Sequence, residues 1–206
     1  MRKLALTIIA LAMTLSISAQ FSIDAGLAVG GFKNSGMDNY SNKSGVTAGA
    51  YYAFKISDFE AEQAGEFLNF GLQFTQTGYK SNNLEGNTSW IQLPVVSRTK
   101  CSLGDDFSLF VDAGIFFGYA LKSESTFNFL YGGQKEYVDL SGSIRKFNFG
   151  GSFGVGLAYD RFSLLLSWQR GLLNLMGDAP TIGGTPVYST NDFTTKSWRL
   201  TLGIEL

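Results

Sequence analysis

The chain has 206 residues, 45% hydrophobic and 16% charged, with 25 Gly, 3 Pro, one Cys and no His. That length suits one domain, and 16 Lys and Arg against 17 Asp and Glu leave no basic excess for binding nucleic acid. The missing His removes the commonest general base and zinc ligand, while a single Cys excludes an intrachain disulfide framework and a Cys-rich metal site.

Met1-Arg2-Lys3 is a positive n-region, and Leu4 to Ile17 is an uncharged apolar run. The small and polar Ser16-Ile-Ser-Ala-Gln20 follows, so the pattern predicts a signal peptide over residues 1–19, cut near Ala19. The run falls short of the roughly 20 residues of a spanning helix, which argues against a retained anchor. No Cys lies near the cut to carry a lipid. Loss of Arg2 and Lys3 leaves 14 basic against 17 acidic residues in the mature domain, residues 20–206.

From Phe21 onward the chain alternates. Phe21, Ile23, Ala25, Leu27 and Val29 are apolar, with small or polar residues between them. The same period runs through Val46 to Ile56, Leu68 to Phe74, Ile91 to Val95 and Phe107 to Tyr119. It returns in Phe147 to Tyr159, Phe162 to Trp168 and Trp198 to Leu206. Strict period two over such lengths predicts eight β-strands and no sustained helix.

The intervening face is polar or small. It carries Asp24, Lys55, Gln73, Gln92, Asp112, Asn148, Gln169, Arg199 and Glu205 among many Gly and Ser. A soluble sandwich or lipocalin would turn the apolar stripe inward. Strands of about 10 to 15 residues instead suit a tilted bilayer crossing, longer than the 5 or 6 of globular strands. With the signal peptide, this predicts an all-β, eight-stranded antiparallel up-and-down transmembrane β-barrel in the outer membrane of a Gram-negative bacterium. These polar residues would then form a network filling the barrel interior, because buried charges must pair.

The connections alternate in length. Ser57–Glu66, Lys100–Asp106 and Asp160-Arg161 are the shorter set, expected on the periplasmic side with both termini. Gly31–Ser44, Lys80–Asn87, Lys122–Arg145 and Gly171–Lys196 form the other set, mostly long and rich in Asn, Ser, Gly and Asp. This topology puts Trp90, Tyr119, Phe147, Trp168 and Trp198 at the outer membrane edge, and Phe21, Phe54, Phe107, Tyr159 and Phe162 at the inner one.

Several segments carry a resemblance: Ser18-Ala-Gln20 at the cleavage point, Trp90-Ile-Gln-Leu-Pro-Val-Val96, Phe149-Gly-Gly-Ser-Phe-Gly-Val-Gly156 and the terminal Trp198-Arg-Leu-Thr-Leu-Gly-Ile204. Across essentially the whole mature chain the sequence resembles the small "porin family" or PorT-like outer-membrane barrels of Bacteroidetes. The resemblance implies an eight-stranded barrel, an outer-membrane address and insertion by the barrel-assembly machinery, but no single activity. Family members usually end in an aromatic residue, whereas this chain ends in Leu206.

Chemistry finds little purchase. Gly150-Gly-Ser152-Phe-Gly154 matches a nucleophile-elbow pattern, yet it lies within a strand and the chain has no His to complete a triad. Inward Asp24, Asp112 and Glu205 could serve acid–base work, but Lys55 and Arg199 share their face, and ion pairing is the simpler role. Asp38, Asp105-Asp106, Asp178 and Asp192 have no calcium-loop spacing. Pro94 removes one ladder hydrogen bond, and Cys101 falls in a short turn. The expectation is therefore no catalytic residue, cofactor or metal. The partners expected are membrane lipid, the assembly machinery and a surface ligand at the long loops, whose aromatics include Phe127, Phe129, Tyr131, Tyr137 and Tyr188. A narrow channel, and an accessory role in protein export, are the alternatives.

Overall fold

The structure is a computed structural model that describes residues 19–33, 41–58, 64–80, 84–128, 135–139, 145–175, 181–182, 185–186 and 194–206. The predicted signal peptide lies outside these residues apart from Ala19. So do Asp38, Phe129, Tyr131, Asp178, Tyr188 and Asp192.

The strands are β1 (Ala19–Lys33), β2 (Ser41–Asp58), β3 (Ala64–Lys80), β4 (Leu84–Ser102), β5 (Phe107–Asn128), β6 (Lys135–Asp139), β7 (Phe147–Tyr159), β8 (Phe162–Gly171), β9 (Thr181–Ile182), β10 (Thr185–Pro186) and β11 (Thr194–Glu205). Eight of them, β1 to β5, β7, β8 and β11, form an antiparallel up-and-down barrel, closed by the pairing of β1 with β11. The short β6 lies against the outer end of β5 from Glu124 to Asn128, and β9 pairs only with β10. Closure removes the sheet edges that a membrane core would not tolerate.

The apolar stripe faces out. Leu202 is 69% exposed, while its neighbour Thr201 is 3% exposed and faces the lumen. On one side of the barrel the outward side chains stack in rows across β7, β8, β11 and β1. They run from Tyr159–Phe162–Ile204–Ile23 through Leu157–Leu164–Leu202–Ala25 and Val155–Leu166–Leu200–Leu27 to Phe153–Trp168–Trp198–Val29. An apolar exterior is the inverse of a soluble barrel and is what a hydrocarbon surrounding selects.

The wall is uneven in height. Strands β2 to β5 have 18, 17, 19 and 22 residues, whereas β7, β8 and β11 have 13, 10 and 12. Several expected strands are therefore too short, and the expected loops are partly sheet. Phe127 lies in β5 and Tyr137 in β6, inside the segment read as the loop Lys122–Arg145. The polar residues of this stretch concealed it, because above the membrane both strand faces can be polar. Thr88 Oγ1 and Ser123 Oγ lie 3.0 Å apart across this extension, both buried.

Three local irregularities interrupt the regular pairing or turn it. The register of β4 and β5 shifts between Ser89 and Trp90. The β3–β4 pairing is interrupted around Leu93-Pro94, where proline has no N–H to give. The β7–β8 hairpin turns on two residues, with Asp160 at φ 50°, a conformation that Asp tolerates better than most residues. Cys101 is the penultimate residue of β4, exposed, and not in the turn itself.

Candidate functional site: the barrel lumen and its rims

The inward positions gather most of the predicted polar residues at the middle of the lumen. Arg199 on β11 reaches across to β3, where its Nη1 donates to Gln73 Oε1. Gln73 Nε2 donates in turn to Thr47 Oγ1 at 3.1 Å, and Thr47 and Thr75 share a hydroxyl contact of 2.9 Å. With its amide oxygen turned toward the guanidinium, Gln169 accepts from Arg199 Nη2 at 2.9 Å and Nη1 at 3.2 Å. Its nitrogen then donates to Gln92 Oε1 at 3.1 Å. The amide orientation follows from this hydrogen-bond logic. One cation and three amides thus link β11, β3, β8 and β4 through the barrel axis, all of them buried.

A second pair sits beside it. Arg98 Nε and Nη2 donate to the two carboxylate oxygens of Asp112 at 2.8 and 2.9 Å, a bidentate fork. The guanidinium carbon stacks 4.1 Å from the centre of the Phe110 ring. Gly156 makes room for that ring, since a Cβ there would collide with it. Tyr51 and Thr201 hydrogen-bond the carboxylate of Asp24, and Arg199 is close enough to attract it. Gly49 and Gly71 leave space for the Tyr51 side chain, whose atoms would lie 2.6 Å from a Cβ at either position.

Not every predicted interior residue joins this cluster. Asn148 is buried farther along the barrel, donating to Thr195 Oγ1 at 2.8 Å. Glu205 pairs with Lys100 at 3.8 Å near the end that carries the termini. Lys55 lies at that same end, largely exposed. Three residues of the centre were not anticipated, Tyr51, Arg98 and Phe110, and neither was Lys100 nearer the end with the termini. The alternation that placed Gln92 inward extends to Arg98 and Lys100, so the signal was present.

The largest correction concerns Trp90. Expected at the outer membrane edge, it is 1% exposed and faces the lumen. Ile91 and Leu93 occupy the outward face of β4, so parity assigns Trp90 to the inward one. It packs over Gly118, and the inward Phe116, also 1% exposed, fills the same half of the barrel. Farther out, Phe32 and Tyr79 meet edge to face at 5.4 Å. The other predicted interface aromatics, Tyr119, Phe147, Tyr159, Phe162, Trp168 and Trp198, all lie on the outward face. Phe21, Phe54 and Phe107 do so as well.

Toward the end with the termini, the lumen holds a cavity of about 50 Å³ lined by Asp24, Asn69, Ser152, Ser167 and Arg199 among others. Asp24 Oδ1, Asn69 Oδ1 and Arg199 Nε find no protein partner. A polar space of that size suits a few bound waters. Ser152 lies mid-strand in β7, facing this cavity, with no turn into a helix. Among the described residues no cluster of three or more His, Cys, Asp or Glu could hold a metal.

A family model described as outer membrane protein beta-barrel domain matches residues 11–177. Solved structures align along nearly the whole chain. The outer membrane enzyme PagL shares 15% identity, covering 89% of this chain and 99% of that one, with a TM-score of 0.50. Neisserial surface protein A shares 11%, covering 92% and 99%, with a TM-score of 0.48. The attachment invasion locus protein Ail of Yersinia pestis shares 16%, covering 92% and 100%, with a TM-score of 0.43. At such identities the likeness concerns the fold alone. No curated protein sequence matches the chain. The outward apolar wall, the closed eight-stranded sheet and the matching family model lead to one conclusion: this chain belongs to the outer membrane protein beta-barrel domain family and resides in the outer membrane.

Proposed function

We propose that this protein is a non-conducting, non-catalytic outer-membrane scaffold that presents a binding surface at its extracellular rim. The observation that carries the reading is the filled lumen. Arg199, Gln73, Gln92 and Gln169 cross the axis in one hydrogen-bonded layer, and Trp90 and Phe116 pack the half beyond it. An eight-stranded barrel is only wide enough to be filled by side chains, and here they fill it. The inward carboxylates support no acid–base pair, since Asp112 is held by Arg98, Asp24 by Tyr51 and Thr201, and Glu205 by Lys100.

The rim has material for recognition. Strands β4 and β5 rise with β6 into a three-stranded tongue, and a polar groove of about 360 Å³ lies near its base, lined by Lys43, Asn87, Lys122 and Glu124 among others. Scaffold barrels carry specificity in such projections. The partners are membrane lipid, the assembly machinery and a surface ligand, with no cofactor. The polypeptide is made with residues 1–19 as a signal peptide. Within its family it groups with the PorT-like barrels of Bacteroidetes, on the strength of the Trp90–Val96 and Trp198–Ile204 segments. The test replaces residues 124–139 with a tight turn and compares surface adhesion and envelope integrity of cells carrying either form. Loss of adhesion with normal heat-modifiable gel migration is expected; unchanged adhesion would refute the binding role.

A further inference from the structure

Beyond the Trp row on the short side of the wall stands a pair of cations. Arg170 on β8 and Lys196 on β11 are directly opposite each other in the antiparallel register, one step outward from Trp168 and Trp198. Neither strand pairing shows a register shift here, so both side chains have the outward parity of the tryptophans, and both are exposed. Like charges directly opposite on one sheet face repel. Nothing in the wall relieves them: among the described residues no carboxylate pairs with either one. Their row neighbours are Gly151 on β7 and Gly31 on β1, which bring no side chain. Beside Gly151 the space is open, the nearest atom to a Cβ there lying 4.0 Å away. Arg145 and Lys146, exposed at the start of β7, add positive charge on the same side.

From this geometry we infer that Arg170 and Lys196 form a binding site for the phosphate of an outer-leaflet lipid headgroup. Depth selects the lipid. Strand rise puts the cations about 7 Å along the strand from the Trp row, and outward-facing tryptophans sit at headgroup level. A phosphate between the two side chains supplies the absent counter-charge. The Arg170 fork takes two of its oxygens, Lys196 contributes a point charge, and the open notch at Gly151 admits the headgroup beside them.

The test refolds the mature chain into phosphatidylcholine vesicles with and without a minority of phosphatidic acid. Lipid retained after mild detergent extraction is then read by native mass spectrometry. Wild type retains phosphatidic acid in preference to phosphatidylcholine, and Arg170→Gln/Lys196→Gln loses that preference by about tenfold, the loss of one good charge-assisted contact. Lys80→Gln, which removes an exposed cation standing opposite Glu85 on the tall side of the wall, keeps it. Without phosphatidic acid, the Arg170→Gln/Lys196→Gln barrel unfolds at the same or a higher urea concentration than wild type, because repulsion is gone; with it, only wild type is stabilised. Equal retention by wild type and the Arg170→Gln/Lys196→Gln variant, or no preference in wild type, would overturn the inference. Displacement of phosphatidic acid by millimolar inorganic phosphate would reassign the pair to soluble anions. Heat-modifiable migration verifies folding, and Arg170→Lys, which keeps the charge, covers a double variant that fails to fold by retaining most of the preference.

Discussion

The tall and short sectors of the barrel wall settle their charges differently. In β2 to β5 the cations Arg98, Lys43 and Lys122 are matched from within, while Lys100 reaches across to Glu205 of β11. Arg98 holds Asp112 in a fork inside the lumen, and Lys43 meets Glu85 at 2.5 Å and Lys122 meets Glu124 at 2.7 Å at the rim. In the sector of β7, β8 and β11, the outward Arg170 and Lys196 have no such partner among the described residues. The tall sector rises into water as a self-contained sheet. The short one stops at the membrane edge, and its charges look to the membrane for balance. The lumen belongs to the first regime, with Arg98 forked to Asp112 and Arg199 linked to amides across the axis.

Breaking the internal regime should cost most at Arg98. Arg98→Ala leaves Asp112 buried without its fork, at a cost of about 3 to 5 kcal/mol, read as a lower urea midpoint for vesicle-inserted protein. Arg98→Met combined with Asp112→Leu should recover most of that loss, since the buried charge goes with its partner. Trp90→Ala should cost a similar or slightly smaller amount, about 3 kcal/mol, through the cavity left in the lumen. The same residue sharpens the contrast spectroscopically. Brominated lipids should quench Trp168 and Trp198, which face outward, and leave Trp90 bright; a Trp168→Phe/Trp198→Phe protein whose emission is still strongly quenched would show that Trp90 faces lipid. The smallest effect belongs to the rim. Glu85→Ala should lower stability by less than about 1 kcal/mol, because its pair with Lys43 is a third exposed.

Much of this molecule was legible because a membrane barrel writes both of its faces into alternating positions. The strand pattern from Phe21 to Val29 and from Phe147 to Tyr159 translated directly into outward and inward faces. The interior residues Gln73, Gln92, Gln169 and Arg199 were legible as inward, though not as one layer, since the register that brings residues 73 and 199 together is a property of closure. Trp90 was misplaced because depth was read from sequence neighbours and side-chain type, overriding the parity of Ile91 and Leu93. Arg98 was missed when the apolar stripe ran into Ser97 and Thr99 and the strand seemed to end. The extensions of β4 and β5 were hidden for a related reason: above the membrane no hydrophobic stripe is required, so a strand there reads as a loop.

The filled lumen is the central claim, and planar-bilayer recording of the refolded mature protein tests it most directly. The account predicts a quiet bilayer, without discrete steps at any holding potential or salt concentration that leaves the protein folded. Large, stable single-channel openings that track the folded, heat-modifiable form would contradict it.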